Sequence, residues 1–218
     1  MANWTLISAS PSPYARKVRI ALQEKNLPFT LQVEVPWDST TKTPQYNPLE
    51  KLPVLLLNDE ANIAIYESHY IMEWLEAKYP SPSLMPPDLD GKLFAKKVEV
   101  IADGICDALV LAFFEKKREE GMRSEAWTER QMRKADGGLA ALATFVEQAG
   151  GSEFLIGGKL TLADIAIGAV LGWLSLRWPD HQWKTKHPRL NEYFERLDQR
   201  PTFANTRPSA QTITDKVV

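Results

Sequence analysis

The sequence predicts two domains of different class: an α/β unit on a four-stranded mixed sheet over residues 1–80, and an all-helical bundle over residues 91–218. Strand and helix periodicities alternate as far as Tyr79, whereas every apolar pattern after residue 90 has the helical period. Between them lies the proline-rich stretch PSPSLMPP at 80–87, which is typical of a stiff, solvated linker. We therefore assign residues 81–90 to a linker between the two domains.

The elements of the first domain follow from the spacing of its apolar residues. The pattern predicts strands at 5–8, 29–35, 54–57 and 63–65 and helices at 14–25 and 68–79. The strand at 29–35 alternates apolar and polar residues, as a half-buried strand does. The last two strands flank Asn58, Asp59 and Glu60 and are expected to form a hairpin.

The second domain shows helical patterns at 92–121, 125–148, 162–178 and 189–199. Thr161 and Asp164 have the spacing of a capping box, in which each side chain bonds the backbone N–H of the other residue. Residues 165–174 are apolar on every face, so we expect the buried central helix of the domain here. Asp164 is accordingly interpreted as a structural residue.

Composition excludes several classes of function. The chain has 218 residues, 44% of them hydrophobic, and a net charge of −2. It therefore lacks the excess of positive charge that is typical of proteins that bind nucleic acid or an anionic membrane. No apolar stretch approaches the roughly 18 residues of a membrane span, and residues 1–4 do not begin a secretory signal, so we expect a cytoplasmic protein. The single cysteine, Cys106, excludes an internal disulfide and is expected in the core. The three histidines lack ligand spacing, so no metal is predicted.

Two short stretches predict a ligand site. Pro53 precedes a run of strand-forming residues, and a cis bond before it would leave the backbone of Leu52 free to pair with an extended peptide. Glu67 and Ser68 open a predicted helix, whose N–H groups and positive dipole end favour a small anion. We interpret these stretches as two halves of a site for a peptide-sized ligand.

At this point the chain resembles a known family. Four motifs carry the resemblance, and none is decisive alone: SPYARKV at 12–18, NPLEKLPVL at 47–55, ES at 67–68 and LTLAD at 160–164. In this order and with these intervals they resemble the cytosolic glutathione transferase superfamily from end to end. Within it the chain looks closest to serine-type bacterial and fungal members related to the nu class.

The resemblance implies a thioredoxin-like N-terminal domain that binds glutathione, a helical C-terminal domain with an electrophile pocket, and a homodimer. By the same resemblance, Pro53 matches the cis-proline and Leu52 pairs with the cysteinyl backbone of glutathione. Glu67 takes the α-ammonium and Ser68 the α-carboxylate of the γ-glutamyl end. Lys51 is placed to meet the glycyl carboxylate.

The resemblance also implies contributions from elsewhere in the chain. Asp103 matches an aspartate that reaches the glutathione of the other subunit, although a bare helix aspartate is also commonly a solvated residue. Trp37 lies either beside the glycyl end or at the surface. The electrophile pocket is expected from aromatic and basic residues that could also be plain core: Tyr14, Phe113, Phe114, Arg118, Trp173 and Trp178.

A transferase must raise the thiolate fraction of glutathione, since an unperturbed thiol has a pKa of about 8.5. Ser12 is the candidate for the hydroxyl that donates to the sulfur, and Ser10 is the runner-up. Ser12 could instead be only the N-cap of the first helix, and both roles can coexist. A serine at position 12 cannot form the mixed disulfide that a cysteine forms there.

Three hypotheses about function remain. The first is a glutathione transferase that conjugates glutathione to small hydrophobic electrophiles. The second is a glutathione-dependent reductase of small disulfides that forms no covalent intermediate with the protein. The third belongs to another class, a non-catalytic glutathione- or ligand-binding protein.

Overall fold

The computed structural model describes residues 4–58 and 63–217. By their internal contacts these residues form two compact units, one running up to Leu84 and including Arg200–Val217, the other Met85–Gln199. The sequence prediction had placed residues 200–217 with the helical domain instead. The prediction that residues 1–80 and 91–218 are separate domains, joined by a linker, stays a prediction.

The first unit is built on a mixed sheet with the strand order β2-β1-β3-β4, four strands among the described residues, as predicted. Its strands and helices are β1 (Trp4–Ser8), α1 (Pro13–Glu24), β2 (Thr30–Val33), β3 (Val54–Leu57), β4 (Ile63–Tyr66), α2 (Ser68–Lys78) and α8 (Pro201–Ala204). A 3₁₀ turn at Thr43–Gln45 lies in the otherwise irregular stretch between β2 and β3. The predicted hairpin turn falls partly on residues 59 and 60, which lie outside the described residues.

Strand pairing fixes the register of this sheet. β1 runs parallel to β2 and antiparallel to β3, with Ile7 opposite Val54. β3 runs antiparallel to β4, with Val54 opposite Tyr66. All four residues of β3 are buried, because its apolar side chains pack on both faces of the sheet.

One expectation for the first unit was wrong. β2, an edge strand, is not half-buried: Leu31 and Val33, which lie on the same face, are 43% and 51% exposed. In the proline-rich stretch 80–87 most residues are exposed, whereas Leu84 and Pro86 are buried. The Lys25 ammonium also donates a hydrogen bond to the carbonyl of Pro82, at 2.8 Å.

Among the described residues, the second unit contains helices and no strand. It contains α3 (Leu89–Lys117), α4 (Glu125–Gln148), α5 (Leu162–Arg177), α6 (Trp183–Lys186) and α7 (Pro188–Gln199). The sequence missed α6, a single turn, because four residues are too few to show a period. Among residues 4–58 and 63–217, no helix is both long and apolar enough to cross a lipid bilayer.

The central helix behaves as its sequence predicts. Every residue from Leu162 to Leu174 is buried, and Thr161 and Asp164 form the predicted capping box. The Asp164 carboxylate also accepts hydrogen bonds from the backbone N–H of Leu155, at 2.8 Å, and from the Tyr193 hydroxyl. Burial raises the pKa of Asp164 despite these donors. The residue is structural, as expected.

The segment 200–217 returns to the first unit through specific side-chain contacts. Arg200 forms a bidentate pair with Glu24 at the end of α1, with nitrogen–oxygen distances of 2.6 and 2.8 Å. Arg16 donates to the carbonyl of Phe203 at 3.1 Å, and the Thr214 hydroxyl donates to Asp38 at 2.8 Å. These contacts account for the assignment of this segment to the first unit.

Candidate functional site

The sheet brings three predicted site segments together at one end of its strands. Ile7, Val54 and Tyr66 lie opposite one another on adjacent strands. The residues that follow β1, precede β3 and follow β4 therefore meet at the same end of the sheet. These are the loop leading to Ser12, the residue Pro53 and the start of α2 at Glu67.

Ser12 caps α1. Its side chain accepts a hydrogen bond from the backbone N–H of Ala15 at 3.2 Å, and Pro13 occupies the first helical position. A serine hydroxyl has one donor hydrogen besides its acceptor lone pairs, so capping leaves that hydrogen available. The N-cap reading of Ser12 is confirmed, and it does not exclude a donor role.

The loop before Ser12 is held by a residue that the sequence analysis did not select. Gln211 accepts a hydrogen bond from the backbone N–H of Ser10 at 3.2 Å and donates to the carbonyl of Glu34 at 3.1 Å. Its side chain thus bridges the loop to Glu34, the residue that follows β2. No local pattern points to a glutamine 201 residues away in the chain.

The loop before β3 is shaped by Asn47. Its side-chain amide donates to the carbonyl of Lys51 at 2.7 Å, while its oxygen accepts from the backbone N–H of Leu49 at 2.9 Å. The Leu52–Pro53 bond is cis. Because β3 begins at Val54, Leu52 lies just outside the ladder, half-buried, and Lys51 is exposed beside it.

Glu67 is the N-cap of α2 and has a φ of +72°, a left-handed conformation that is uncommon for glutamate. Its carboxylate accepts hydrogen bonds from the backbone N–H of His69 at 3.1 and 3.2 Å, and the Ser68 hydroxyl donates to it at 3.3 Å. Partial burial raises the pKa of Glu67, but the His69 bonds and the charges of His69 and Lys17 outweigh it and hold this pKa below its ordinary value. The carboxylate is therefore ionised at neutral pH.

Lys17 is a second residue that the sequence analysis missed. It lies on α1, is 1% exposed, and its positive charge contributes to lowering the pKa of Glu67. In the sequence it looks like one of several basic residues on the polar side of an amphipathic helix. Only its burial in the structure separates it from a solvated lysine.

The predicted pocket residues are distributed over both units. Tyr14 lies on α1 of the first unit and is half-buried. In the second unit the ring centroids of Phe113 and Phe114 lie 5.2 Å apart, those of Phe113 and Trp178 6.3 Å, and those of Trp173 and Trp178 5.5 Å. The four rings in the second unit therefore form one cluster at the ends of α3 and α5.

Three further candidates lie outside these groups. Arg118 is the C-cap of α3 and pairs with Glu115, with a nitrogen–oxygen distance of 3.5 Å. Asp103 is a half-buried residue in the middle of α3. Trp37 is 46% exposed in the irregular stretch after β2, which agrees with the surface interpretation of this residue. Its position relative to a ligand stays a prediction.

Comparison with known proteins identifies the family. The profile described as "Glutathione S-transferase, N-terminal domain" matches residues 11–78, and "Glutathione S-transferase, C-terminal domain" matches residues 125–196. A glutathione S-transferase from Methylobacterium radiotolerans, solved in complex with glutathione sulfonate, is 56% identical with a TM-score of 0.94, covering 99% of this chain and 100% of that chain.

Two more distant relatives agree. A glutathione S-transferase from Methylobacillus flagellatus, solved with glutathione bound, is 34% identical with a TM-score of 0.87, covering 94% of this chain and all of that one. The uncharacterized GST-like protein YibF of Escherichia coli K12 is 32% identical over 208 residues, covering 93% of this chain and 98% of that protein. With identity at this level over nearly the whole sequence, the chain belongs to the glutathione S-transferase family.

Proposed function

We propose that this protein is a glutathione transferase, which binds glutathione in the first unit and conjugates it to small hydrophobic electrophiles. This end of the sheet offers the charged and hydrogen-bonding groups that an extended γ-glutamyl peptide requires. Ionised Glu67 suits an ammonium group, and the start of α2 with the Ser68 hydroxyl suits the neighbouring carboxylate. Leu52, outside the ladder, suits the peptide backbone, and exposed Lys51 suits a terminal carboxylate.

The position of Ser12 is the observation that carries the proposal of catalysis. The hydroxyl oxygen of Ser12 accepts a hydrogen bond from the backbone N–H of Ala15. The hydroxyl hydrogen remains available to a sulfur placed at the start of α1. A donated hydrogen bond and the positive end of the helix both stabilise a thiolate and so lower the pKa of the thiol. In the conjugation step, the thiol proton leaves to solvent, the thiolate sulfur forms a bond to the electrophilic carbon, and the leaving group departs with its electron pair.

Two substitutions separate the donor role of Ser12 from its capping role. Ser12→Ala removes the hydroxyl and weakens the cap, whereas glycine at an N-cap costs only a few tenths of a kcal/mol of stability. We expect both Ser12→Ala and Ser12→Gly to lower kcat for 1-chloro-2,4-dinitrobenzene by about 10²-fold, because both lose the donor. Glutathione affinity, measured by calorimetry, should change little.

Ser10→Ala is the control for this experiment, since the hydrogen bond of Ser10 to Gln211 is made by its backbone N–H and survives the substitution. A Ser12→Gly variant with normal kcat would show that Ser12 is a cap alone. A loss confined to Ser10→Ala would move the donor role to Ser10. Turnover of hydroxyethyl disulfide without turnover of aryl halides would favour the disulfide reductase, and failure to bind glutathione at all would favour a non-catalytic protein.

The proposal extends to the subclass and the assembly. A serine at position 12 supports a serine-type transferase, near the members related to the nu class, acting in the cytoplasm as a homodimer. In this assembly Asp103 would contact the glutathione bound by the partner copy. Light scattering should therefore give a dimer mass, and Asp103→Asn should weaken glutathione binding without changing that mass. A monomer in solution would contradict both statements.

A further inference from the structure

A cluster in the second unit combines aromatic rings with unneutralised positive charge. We call it the aromatic–cationic cluster and define it as Phe113, Phe114, Lys116, Lys117, Trp173, Arg177 and Trp178. The Arg177 guanidinium lies 4.8 Å and the Lys117 ammonium 5.3 Å from the centroid of the Phe113 ring. The Lys116 ammonium lies 5.5 Å from the centroid of the Trp178 ring. A ring face attracts such a cation without neutralising its charge.

These cations have no acidic partners in the part of the chain that the structure describes. Glu115, the acid next to Lys116 in the sequence, pairs with Arg118 and accepts a hydrogen bond from the backbone N–H of Ser124 at 2.8 Å. Lys116, Lys117 and Arg177 form no ion pair with a described residue. The cluster therefore carries three positive charges beside aromatic surface.

Helix ends account for part of this arrangement. Lys116 and Lys117 belong to the last turn of α3 and Arg177 to the last turn of α5, where the dipole favours cations. The dipole effect explains cations at each terminus, but it does not explain why both termini meet on one set of rings without a carboxylate. Burial lowers the pKa of Arg177, so this guanidinium is partly desolvated and would gain from an anionic partner.

Two buried polar groups in the same region lack hydrogen-bond partners among the described residues. They are the indole N–H of Trp178 and the hydroxyl of Ser175, one turn before it on α5. A buried donor without an acceptor costs about 1–3 kcal/mol. An oxygen atom of a ligand that enters between the neighbouring side chains could supply that acceptor.

We propose that the aromatic–cationic cluster binds small aromatic carboxylates, and that the preferred electrophile of this enzyme is an aryl compound bearing a carboxylate. The half-buried rings of Phe113 and Phe114 accept the aryl body, and Arg177 and Lys117 pair with the carboxylate. Binding of the carboxylate involves residues of the second unit alone. The preference for a carboxylate-bearing electrophile rests on the proposed transferase function.

Binding is tested with two compounds that share one ring system. Calorimetry on the full-length protein compares 3,5-dinitrobenzoate with 1,3-dinitrobenzene, which lacks the carboxylate. We expect the benzoate to bind about tenfold more tightly, because it gains a charge-assisted contact. This preference should shrink when the salt concentration is raised, since salt screens the partly exposed charges.

Three variants locate the binding. Arg177→Gln and Lys117→Gln should each reduce the preference for the benzoate, by about three- to tenfold. Lys134→Gln is the matched control, because Lys134 is an exposed lysine on α4 whose loss changes the net charge equally. Equal affinity of the wild type for both compounds, or an equal loss in Lys134→Gln, would overturn the proposal.

A turnover experiment separates this inference from the proposed function. The substrates are 4-chloro-3,5-dinitrobenzoate and 1-chloro-2,4-dinitrobenzene, each normalised to its uncatalysed reaction with glutathione. In both, sulfur bonds to the carbon that bears chlorine and chloride leaves with the bonding electrons. We expect the normalised kcat/KM ratio of benzoate to neutral substrate to exceed one and to fall in Arg177→Gln.

The outcomes are distinguishable. A binding preference without turnover of either substrate would refute the transferase function and leave the carboxylate site standing. Turnover of both substrates with a ratio of one that Arg177→Gln does not change would refute the selectivity and leave the transferase function intact.

Discussion

At the scale of single residues, Glu67 combines three features. Its φ is +72°, its carboxylate caps α2 through His69, and its pKa is held below the ordinary value. A non-glycine residue in the left-handed region costs of order 1–3 kcal/mol and persists where the surrounding structure requires it. We interpret this conformation as serving to aim the carboxylate at the ligand while its helix is capped.

Glu67→Gln should weaken glutathione binding by about 10- to 100-fold, because the ammonium loses its charged acceptor while the side chain keeps its size. Glu73→Gln, which removes the same charge from an exposed position of α2, should bind normally. Calorimetry at pH 7 measures both. An unchanged affinity in Glu67→Gln would exclude the assigned role.

The sequence pointed to some residues of the candidate site and not to others. Ser12 and Glu67 were found because each stands at a helix start, which has a local signature. Lys17 and Gln211 were not found, because the burial of a helix lysine and a contact between distant segments leave no local pattern. The chemistry of the predicted site was therefore visible in the sequence, whereas its supporting residues were not.

At the scale of elements, the packing of α3 against α4 depends on one glycine. A β-carbon added at Gly138 would lie 2.4 Å from Cγ1 and 2.8 Å from Cδ1 of Ile105. Ile105 is 1% exposed, so its side chain has little room to move away. The preceding Gly137 would meet no atom within 4 Å.

These two neighbours form a matched pair for experiment. Gly138→Ala should lower the free energy of unfolding by about 1–3 kcal/mol, because the added methyl group overpacks the contact between the helices. Gly137→Ala should be neutral or stabilising by up to about 1 kcal/mol, because alanine favours the helix. Urea unfolding of both variants measures the difference, and a stable Gly138→Ala would show that α3 and α4 adjust at this point.

Element boundaries were predicted closely where capping signals exist. Serine precedes α1 and α4 as the N-cap, and α4 spans Glu125–Gln148 as predicted. α3 ends at Lys117 rather than at residue 121, because the chain breaks into a 3₁₀ turn at Glu120–Met122. Charged residues continue through this break, so the sequence pattern does not mark it.

At the scale of the whole molecule, Glu24 makes one of the contacts that hold residues 200–217 to the first unit. Its carboxylate pairs with Arg200 and accepts a hydrogen bond from the Thr202 hydroxyl. Burial raises the pKa of Glu24, but these partners outweigh it and hold the pKa below the ordinary value. The pair therefore couples the end of α1 to a segment 176 residues later.

Glu24→Gln should lower the free energy of unfolding at pH 7 by about 1.5–3 kcal/mol. Because the folded pKa is depressed, the stabilisation is fully present above the unfolded pKa of about 4.3 and is lost as pH falls through the folded pKa. Urea unfolding should therefore show the wild type and the variant converging in acid. Glu147→Gln, an exposed position on α4, should match the wild type at every pH, and a gap that persists in acid would contradict the assignment.

The sequence by itself determined the α/β and helical classes, the order of the main elements, the buried α5 and the motifs of the transferase family. These features depend on residues close together in the chain, where periodicity, capping and turn chemistry act. Only the tertiary structure decided where residues 200–217 pack, which lysines are buried and which cations lie over the rings of the second unit. Contacts such as that of Arg16 with Phe203, 187 residues apart, depend on how the chain folds back, and local sequence carries no record of it.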